Sequence, residues 1–172
     1  WRAYQFIPFT EYEAGLRVLL KVLSTHKVPS LESPLVVEPL QVLTPETGVY
    51  SIAFSPDGSM LVAGLRSGTI WRWNSAEGTP LEPIQAHQKT VHCVAFHPDG
   101  NWLASASGDQ SIRLWTMPDG TLRQMLEGHT DSVRAVSFSP DGRLLASGSR
   151  DATLRLWTIP DGMLVRVLQG HE

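Results

Sequence analysis

A phrase beginning at Tyr50, YSIAFSPDGSMLVAGLRSGTIWRW, returns as HCVAFHPDGNWLASASGDQSIRLW from His92 and as RAVSFSPDGRLLASGSRDATLRLW from Arg134. The spacing is 42 residues each time, and Asp57, Asp99 and Asp141 hold that register, as do Trp73, Trp115 and Trp157. A period of this length with no insertion in any copy means one structural module used repeatedly, with loops of fixed length.

Each module reads as β-structure. Val133 to Phe138 is rich in residues that suit a pleated, half-buried strand. Pro140-Asp141-Gly142 then forces a turn, because Pro presets φ and Gly accepts the positive φ that other residues resist. Leu144 to Ser149 is a second strand, Arg150-Asp151-Ala152 a tight turn, and Thr153 to Thr158 a third strand. Pro160-Asp161-Gly162 leads to a fourth, Met163 to Gln169. The equivalent turns are Pro118-Asp119-Gly120 and Ala76-Glu77-Gly78. The middle strands are apolar on both sides, as in a sheet covered on both faces. The fold class is therefore all-β, with propeller blades of four antiparallel strands and a short N-terminal helix.

The period, Gly128-His129 and the Trp that ends each third strand resemble the WD-repeat family of β-propellers. The resemblance covers about residues 35 to 172, with repeats at about 45–86, 87–128 and 129–170. The Asp of the name-giving Trp-Asp pair is missing: Asn74, Thr116 and Thr158 follow the Trp. The resemblance implies a buried hydrogen-bonded chain in each blade. In the third copy it falls on His129, Ser147, Asp151 and Trp157, and in the middle copy on His87, Ser105, Asp109 and Trp115. Ser107 and Ser149 are the weaker choices for the Ser, since register decides which side chain points inward. The first copy has Pro45, Ala63, Ser67 and Trp73 at these places, so only the Trp survives. That blade should rest on apolar packing and be the least stable.

Ser, His and Asp are also the residues of a hydrolytic triad. The same set recurs in register, however, and no Gly-x-Ser-x-Gly elbow is present. A structural role is the better reading, because buried Asp and His are tolerable only when fully paired. No catalytic residue, cofactor or metal site is assigned. His87, His92 and His97 lie five apart, and residues five apart on a strand point to opposite faces. Trp71 and Trp102 have no Trp counterparts in the other copies and read as packing or rim residues.

The chain has 172 residues and a net charge of -3, without a Lys/Arg-rich run, which argues against binding nucleic acid through its phosphates. No apolar run approaches the roughly 20 residues that span a bilayer. One cysteine, Cys93, rules out an internal disulfide and fits a reducing, cytoplasmic setting. Residues 1–34 stand outside the repeat. Thr10 and Glu13 form a capping box, Tyr12, Leu16, Leu19, Leu20 and Leu23 fall on one stripe, and Pro29 ends the helix. That helix reads as a linker or cap that packs its stripe on protein, rather than a membrane-surface or partner-binding helix. Val36 to Leu43 falls in register with the fourth strand. Gly170-His171-Glu172 opens the phrase again.

The functional signal lies where the copies differ. Tyr50, His92 and Arg134 share one place with three chemistries. Arg66, Gly108 and Arg150 share another, and Gly48, Thr90 and Ser132 a third. The resemblance puts these places on the top face, near the central channel. Candidate partner-binding residues are Tyr50, Arg66, Thr90, His92, Ser132, Arg134 and Arg150. The three arginines suit an acidic or phosphorylated peptide. The expected function is a non-catalytic scaffold for protein or peptide binding, in a larger signalling or regulatory protein. The uniform repeats resemble the C-terminal arrays of large bacterial signalling proteins, including NTPase and kinase sensors. The rival readings are the sensor portion of an enzyme with an upstream catalytic domain, and a structural module that closes a propeller by forming a homo-oligomer. Three blades alone leave two faces to be covered.

Overall fold

The computed structural model of the protein describes residues 47–169. The expected N-terminal helix, the strand at Val36 to Leu43, Pro45 and His171 lie outside the described residues. Twelve strands follow one another: β1 (Val49–Phe54), β2 (Met60–Leu65), β3 (Thr69–Asn74), β4 (Pro80–Gln85), β5 (Val91–Phe96), β6 (Trp102–Ser107), β7 (Ile112–Thr116), β8 (Thr121–Leu126), β9 (Val133–Phe138), β10 (Leu144–Ser149), β11 (Thr153–Thr158) and β12 (Leu164–Gln169). They form three four-stranded sheets in the orders β1-β2-β3-β4, β5-β6-β7-β8 and β9-β10-β11-β12. Every pairing is antiparallel. Each sheet is one blade, and no helix occurs among the described residues.

The Pro-Asp-Gly turns show why the sequence doubles back where it does. Asp141 Oδ1 accepts from Ser139 Oγ at 2.6 Å and from Arg143 N at 3.1 Å, while Gly142 sits at φ 72°. Asp57 does the same for Ser55 Oγ at 2.6 Å and Ser59 N at 3.0 Å. Hydrogen bonds from Ser55, then Ser59, lower the Asp57 carboxyl to about 2. In the middle blade His97 replaces the Ser, and its Nδ1 lies 2.7 Å from Asp99. A short polar side chain that gathers donors across its own turn is a standard device for ending a strand.

The core is two apolar slabs, one between each pair of neighbouring blades. The first joins Val62, Ile70 and Ile84 of one blade to Val91, Val94 and Leu103 of the next. The second joins Ala104, Ile112 and Leu126 to Val133, Val136 and Leu145. One blade offers positions from its strands' trailing face, and the next answers with its leading face. The contacts are close. A Cβ on Gly64 would lie 2.7 Å from Val91 Cγ1, so that strand position has room only for glycine. Polar ties run alongside: Val94 N donates to Ser51 Oγ at 3.1 Å, Arg72 donates to the Pro118 carbonyl, and His97 Nε2 lies 3.0 Å from the Gly142 carbonyl.

Candidate functional site

Two side-chain systems shape the face formed by the loops that enter the inner strands. The first is the Ser, His, Asp and Trp chain. In the third blade Trp157 Nε1 donates to Ser147 Oγ at 2.9 Å, Ser147 Oγ lies 2.8 Å from His129 Nε2, and His129 Nδ1 lies 2.8 Å from Asp151 Oδ2. The middle blade repeats this with Trp115, Ser105, His87 and Asp109 at 2.8, 2.7 and 2.9 Å. The charge pattern assigns the protons. An ionised Asp only accepts, so His Nδ1 carries its hydrogen, and Nε2 accepts from the Ser hydroxyl. Burial alone would push the Asp109 and Asp151 carboxyls up. Hydrogen bonds from His87 and Ser111, and from Thr153 and His129, outweigh that and hold both well below the usual carboxylate range.

This chain has the connectivity of a hydrolytic triad without its access. Ser105 is 0% exposed and Ser147 1%, and each hydroxyl oxygen already accepts a Trp N–H. A nucleophile needs room for a carbonyl and an oxyanion site near it. The chain instead ties three segments together. Asp151 Oδ2 also takes Thr130 N at 3.0 Å, and Asp151 Oδ1 takes Thr153 N at 2.9 Å. Ser149 plays a separate part. Its Oγ donates to the Asp131 carbonyl at 2.9 Å and accepts from Asp151 N at 3.1 Å. Ser107 does likewise between Lys89 and Asp109.

The first blade lacks this chain. Ala63 stands where Ser105 and Ser147 stand, and Trp73 Nε1 is buried without a hydrogen-bond partner among the described residues. A shorter hydroxyl relay is present there. Ser67 Oγ lies 3.2 Å from Thr69 Oγ1, which lies 3.3 Å from Gln85 Oε1.

The second system is the variable residues. Tyr50, His92 and Arg134 each occupy a β-bulge at the start of the innermost strand. The pairing skips from Val49 to Ser51, from Val91 to Cys93 and from Val133 to Ala135. A bulge re-aims a side chain that regular pleating would send elsewhere. Here it lines the three up in one row. The Tyr50 and His92 rings meet edge to face at 5.6 Å, and Arg134 Nη1 lies 3.3 Å from His92 Nδ1. Burial, then the Arg134 charge, lowers the His92 pKa, which keeps its ring a neutral acceptor.

Around the row, the other two variable sets are bonded to each other: Arg66 N to the Gly48 carbonyl at 2.9 Å, Gly108 N to Thr90 at 3.0 Å, and Arg150 N to Ser132 at 3.0 Å. Thr90 Oγ1 also donates to the Arg66 carbonyl at 3.2 Å. Arg66, Arg134 and Arg150 are all exposed. The variable positions thus form one contiguous surface on a rigid base. Laying the copies over one another finds these residues. It misses the bulge, which leaves no mark in composition.

His87 belongs to the buried chain, His92 to the row, and His97 to the turn contact with Gly142. Among the described residues no three His, Cys, Asp or Glu side chains converge as metal ligands. Trp71 packs at 5.8 Å from Trp73, and Arg123 lies 4.2 Å over the Trp102 ring.

Three sheets of four antiparallel strands, packed face to face, two of them stapled from within by the buried chain, define the protein as β-propeller blades. The sequence matches the family described as WD domain, G-beta repeat over residues 37–74, 78–116 and 120–158, more than half its length, and the chain belongs to that family. Each matched unit after the first takes the outer strand of one blade and the inner three of the next, so the sequence repeat itself staples neighbours. The fold is similar to that in "Crystal structure of RRP9 WD40 repeats", with a TM-score of 0.73 and 25% identity. It is also similar to "Structure of U3-55K", with a TM-score of 0.73 and 24% identity. Both alignments cover 75% of this chain, which spans 41% of each of those proteins. No curated protein matches the sequence.

Proposed function

We propose that this protein is a non-catalytic scaffold that binds an acidic or phosphorylated peptide across the row Tyr50, His92 and Arg134. Propellers of this family generally serve as protein-interaction scaffolds. The observation that carries the finer reading is the set of in-register bulges, which present three different side chains from three blades as one surface. Arg134 and Arg150 supply charge and donors for a carboxylate or phosphate. Tyr50 supplies an aromatic face. Thr90 and Ser132 add hydroxyls, and Arg66 stands beside Thr90. Loops on a rigid frame are the usual place for such a site. Within this reading the chain acts as the regulatory, interaction-bearing portion of a cytoplasmic signalling protein.

The test is fluorescence anisotropy with a labelled peptide carrying glutamates and one phosphoserine. Arg134→Ala with Arg150→Ala should raise Kd at least tenfold, about 1.4 kcal/mol, and the circular dichroism should stay unchanged. Raising the salt should weaken wild-type binding. A folded double variant that binds as tightly as wild type removes the proposal.

A further inference from the structure

The two junctions between the described blades are built alike but filled differently, at the end of the inner strands opposite the row of Tyr50, His92 and Arg134. At the second junction His97 occupies the space beside the Pro-Asp-Gly turns. Its ring stands edge to face on Phe138 at 5.1 Å, and its Nε2 donates to the Gly142 carbonyl at 3.0 Å. Its Nδ1 lies 2.7 Å from Asp99 Oδ1, and the Trp102 ring packs beside it at 5.9 Å. The seat is tight: a Cβ on Gly142 would lie 2.2 Å from His97 Nε2.

At the first junction Ser55 stands in place of His97, and Met60 in place of Trp102. Both side chains are smaller, and a groove of about 330 Å³ results, a size that suits a small ligand group, for which pockets run to roughly 300–1,000 Å³. Met60, Phe96, Met117 and Pro118 give it apolar walls, and the exposed Asp57 and Asp99 lie along it. Phe96 and Gly100 are the counterparts of Phe138 and Gly142. A Cβ on Gly100 would meet nothing nearer than Pro56 Cδ at 3.5 Å. The groove thus keeps the phenyl ring, the glycine and the turn carboxylate that seat His97, here Phe96, Gly100 and Asp57. Hydrogen bonds from Ser55, then Ser59, hold the Asp57 carboxyl at about 2. At Asp99 the effect of burial is outweighed by hydrogen bonds from Asn101 and His97, so both groups are ionised at neutral pH.

We propose that this groove takes an arginine side chain from an extended segment of a partner protein. The occupant's chemistry is read from His97: a flat group against a phenyl ring, with one N–H on a glycine carbonyl and a second nitrogen at the turn carboxylate. A guanidinium has that flat shape. Its donors form a rigid fork, so it serves the Gly100 carbonyl and a carboxylate together. It is attracted to the face of an aromatic ring such as Phe96. Two ionised carboxylates favour a permanent cation over an imidazole, which is mostly neutral at pH 7. The apolar walls suit the methylene stem, which long cationic side chains lay along such surfaces. The site lies at the other end of the inner strands from the row and prefers the opposite charge, so it does not rest on the acidic-peptide reading.

The test is an NMR titration of the full chain with a short capped peptide carrying one arginine between glycines. The amide signals of Ser55, Gly100 and Asn101 should shift and saturate, while those of Tyr50, His92 and Arg134 stay in place. Replacing the arginine by citrulline, which keeps the shape and loses the charge, should raise Kd about tenfold or more. Ser55→His puts into the groove the ring that the second junction already seats, so this variant should keep its circular dichroism and lose the peptide. Asp57→Asn with Asp99→Asn retains the turn acceptors and should also raise Kd about tenfold or more. Arg134→Ala with Arg150→Ala should leave this binding unchanged, so the two sites fail separately. The proposal is overturned by any of three results: no saturable shift at Ser55 and Gly100, equal binding of the citrulline peptide, or a folded Ser55→His variant that binds as tightly as wild type.

Discussion

Asp151 accepts four hydrogen bonds, from His129 Nδ1, Thr130 N, Thr153 N and Thr153 Oγ1. Its side chain is 7% exposed and that of His129 is 1% exposed. Replacing the carboxylate strands buried donors, each costing about 1–3 kcal/mol. Asp151→Ala should therefore lower stability by about 3 kcal/mol. Ser67→Ala, at the matching exposed position of the first blade, should cost less than about 1 kcal/mol. Urea midpoints measure both, and equal midpoints would refute the difference. The same carboxylates set the acid response. Both Asp109 and Asp151 have pKa values below the ordinary value of 3.8. Above that value both states are ionised and the stabilisation is fully present. As pH falls below it, the unfolded chain takes up protons that the folded chain refuses, so stability declines until the folded groups protonate too. Urea midpoints should be flat from about pH 7 to pH 5 with respect to these two groups and fall below about pH 4. Asp109→Asn with Asp151→Asn should flatten the acid limb.

The twelve strands and their turns were readable from one copy laid over the next, because each element rests on local causes: a Pro-Asp-Gly turn, a β-rich run, a Trp at a fixed place. The four members of the buried chain were legible only through the family resemblance. Their spacing alone equally suits a triad, and burial of Ser147 is a tertiary fact. The inter-blade ties were not legible at all. Arg72 to Pro118 and His97 to Gly142 join residues far apart in sequence, and neither recurs in another copy among the described residues. The defect of the first blade could be read in Ala63, and it yields a prediction for that element. Ala63→Ser would give Trp73 Nε1 the acceptor that Ser105 gives Trp115. The new hydroxyl would face the Trp71 carbonyl, as Ser105 Oγ faces that of Arg113 at 3.5 Å. One net buried hydrogen bond is worth about 1 kcal/mol, so the variant should melt higher. A lower melting temperature would mean that the strand has no room for the oxygen.

Stacked blades make stability a property of position in the array, because each module's stability adds to the interfaces it shares with neighbours. The middle blade has both interfaces and a complete hydrogen-bonded chain. Within the described residues the third has the chain and one interface. The first, within the same residues, has one interface, no chain and a stranded Trp73 N–H. The order of opening is therefore middle slowest, third next, first fastest. Native-state hydrogen exchange reads this order directly, since local opening sets the protection of each ladder. Amides of β2 and β3 should exchange before those of β10 and β11, and those of β6 and β7 last. Uniform protection across the three ladders would mean that the array opens as one unit and that the buried chain adds nothing local. Early loss in β10 and β11 instead would mean that the third blade's trailing face, which has no neighbouring blade among the described residues, outweighs the missing staple.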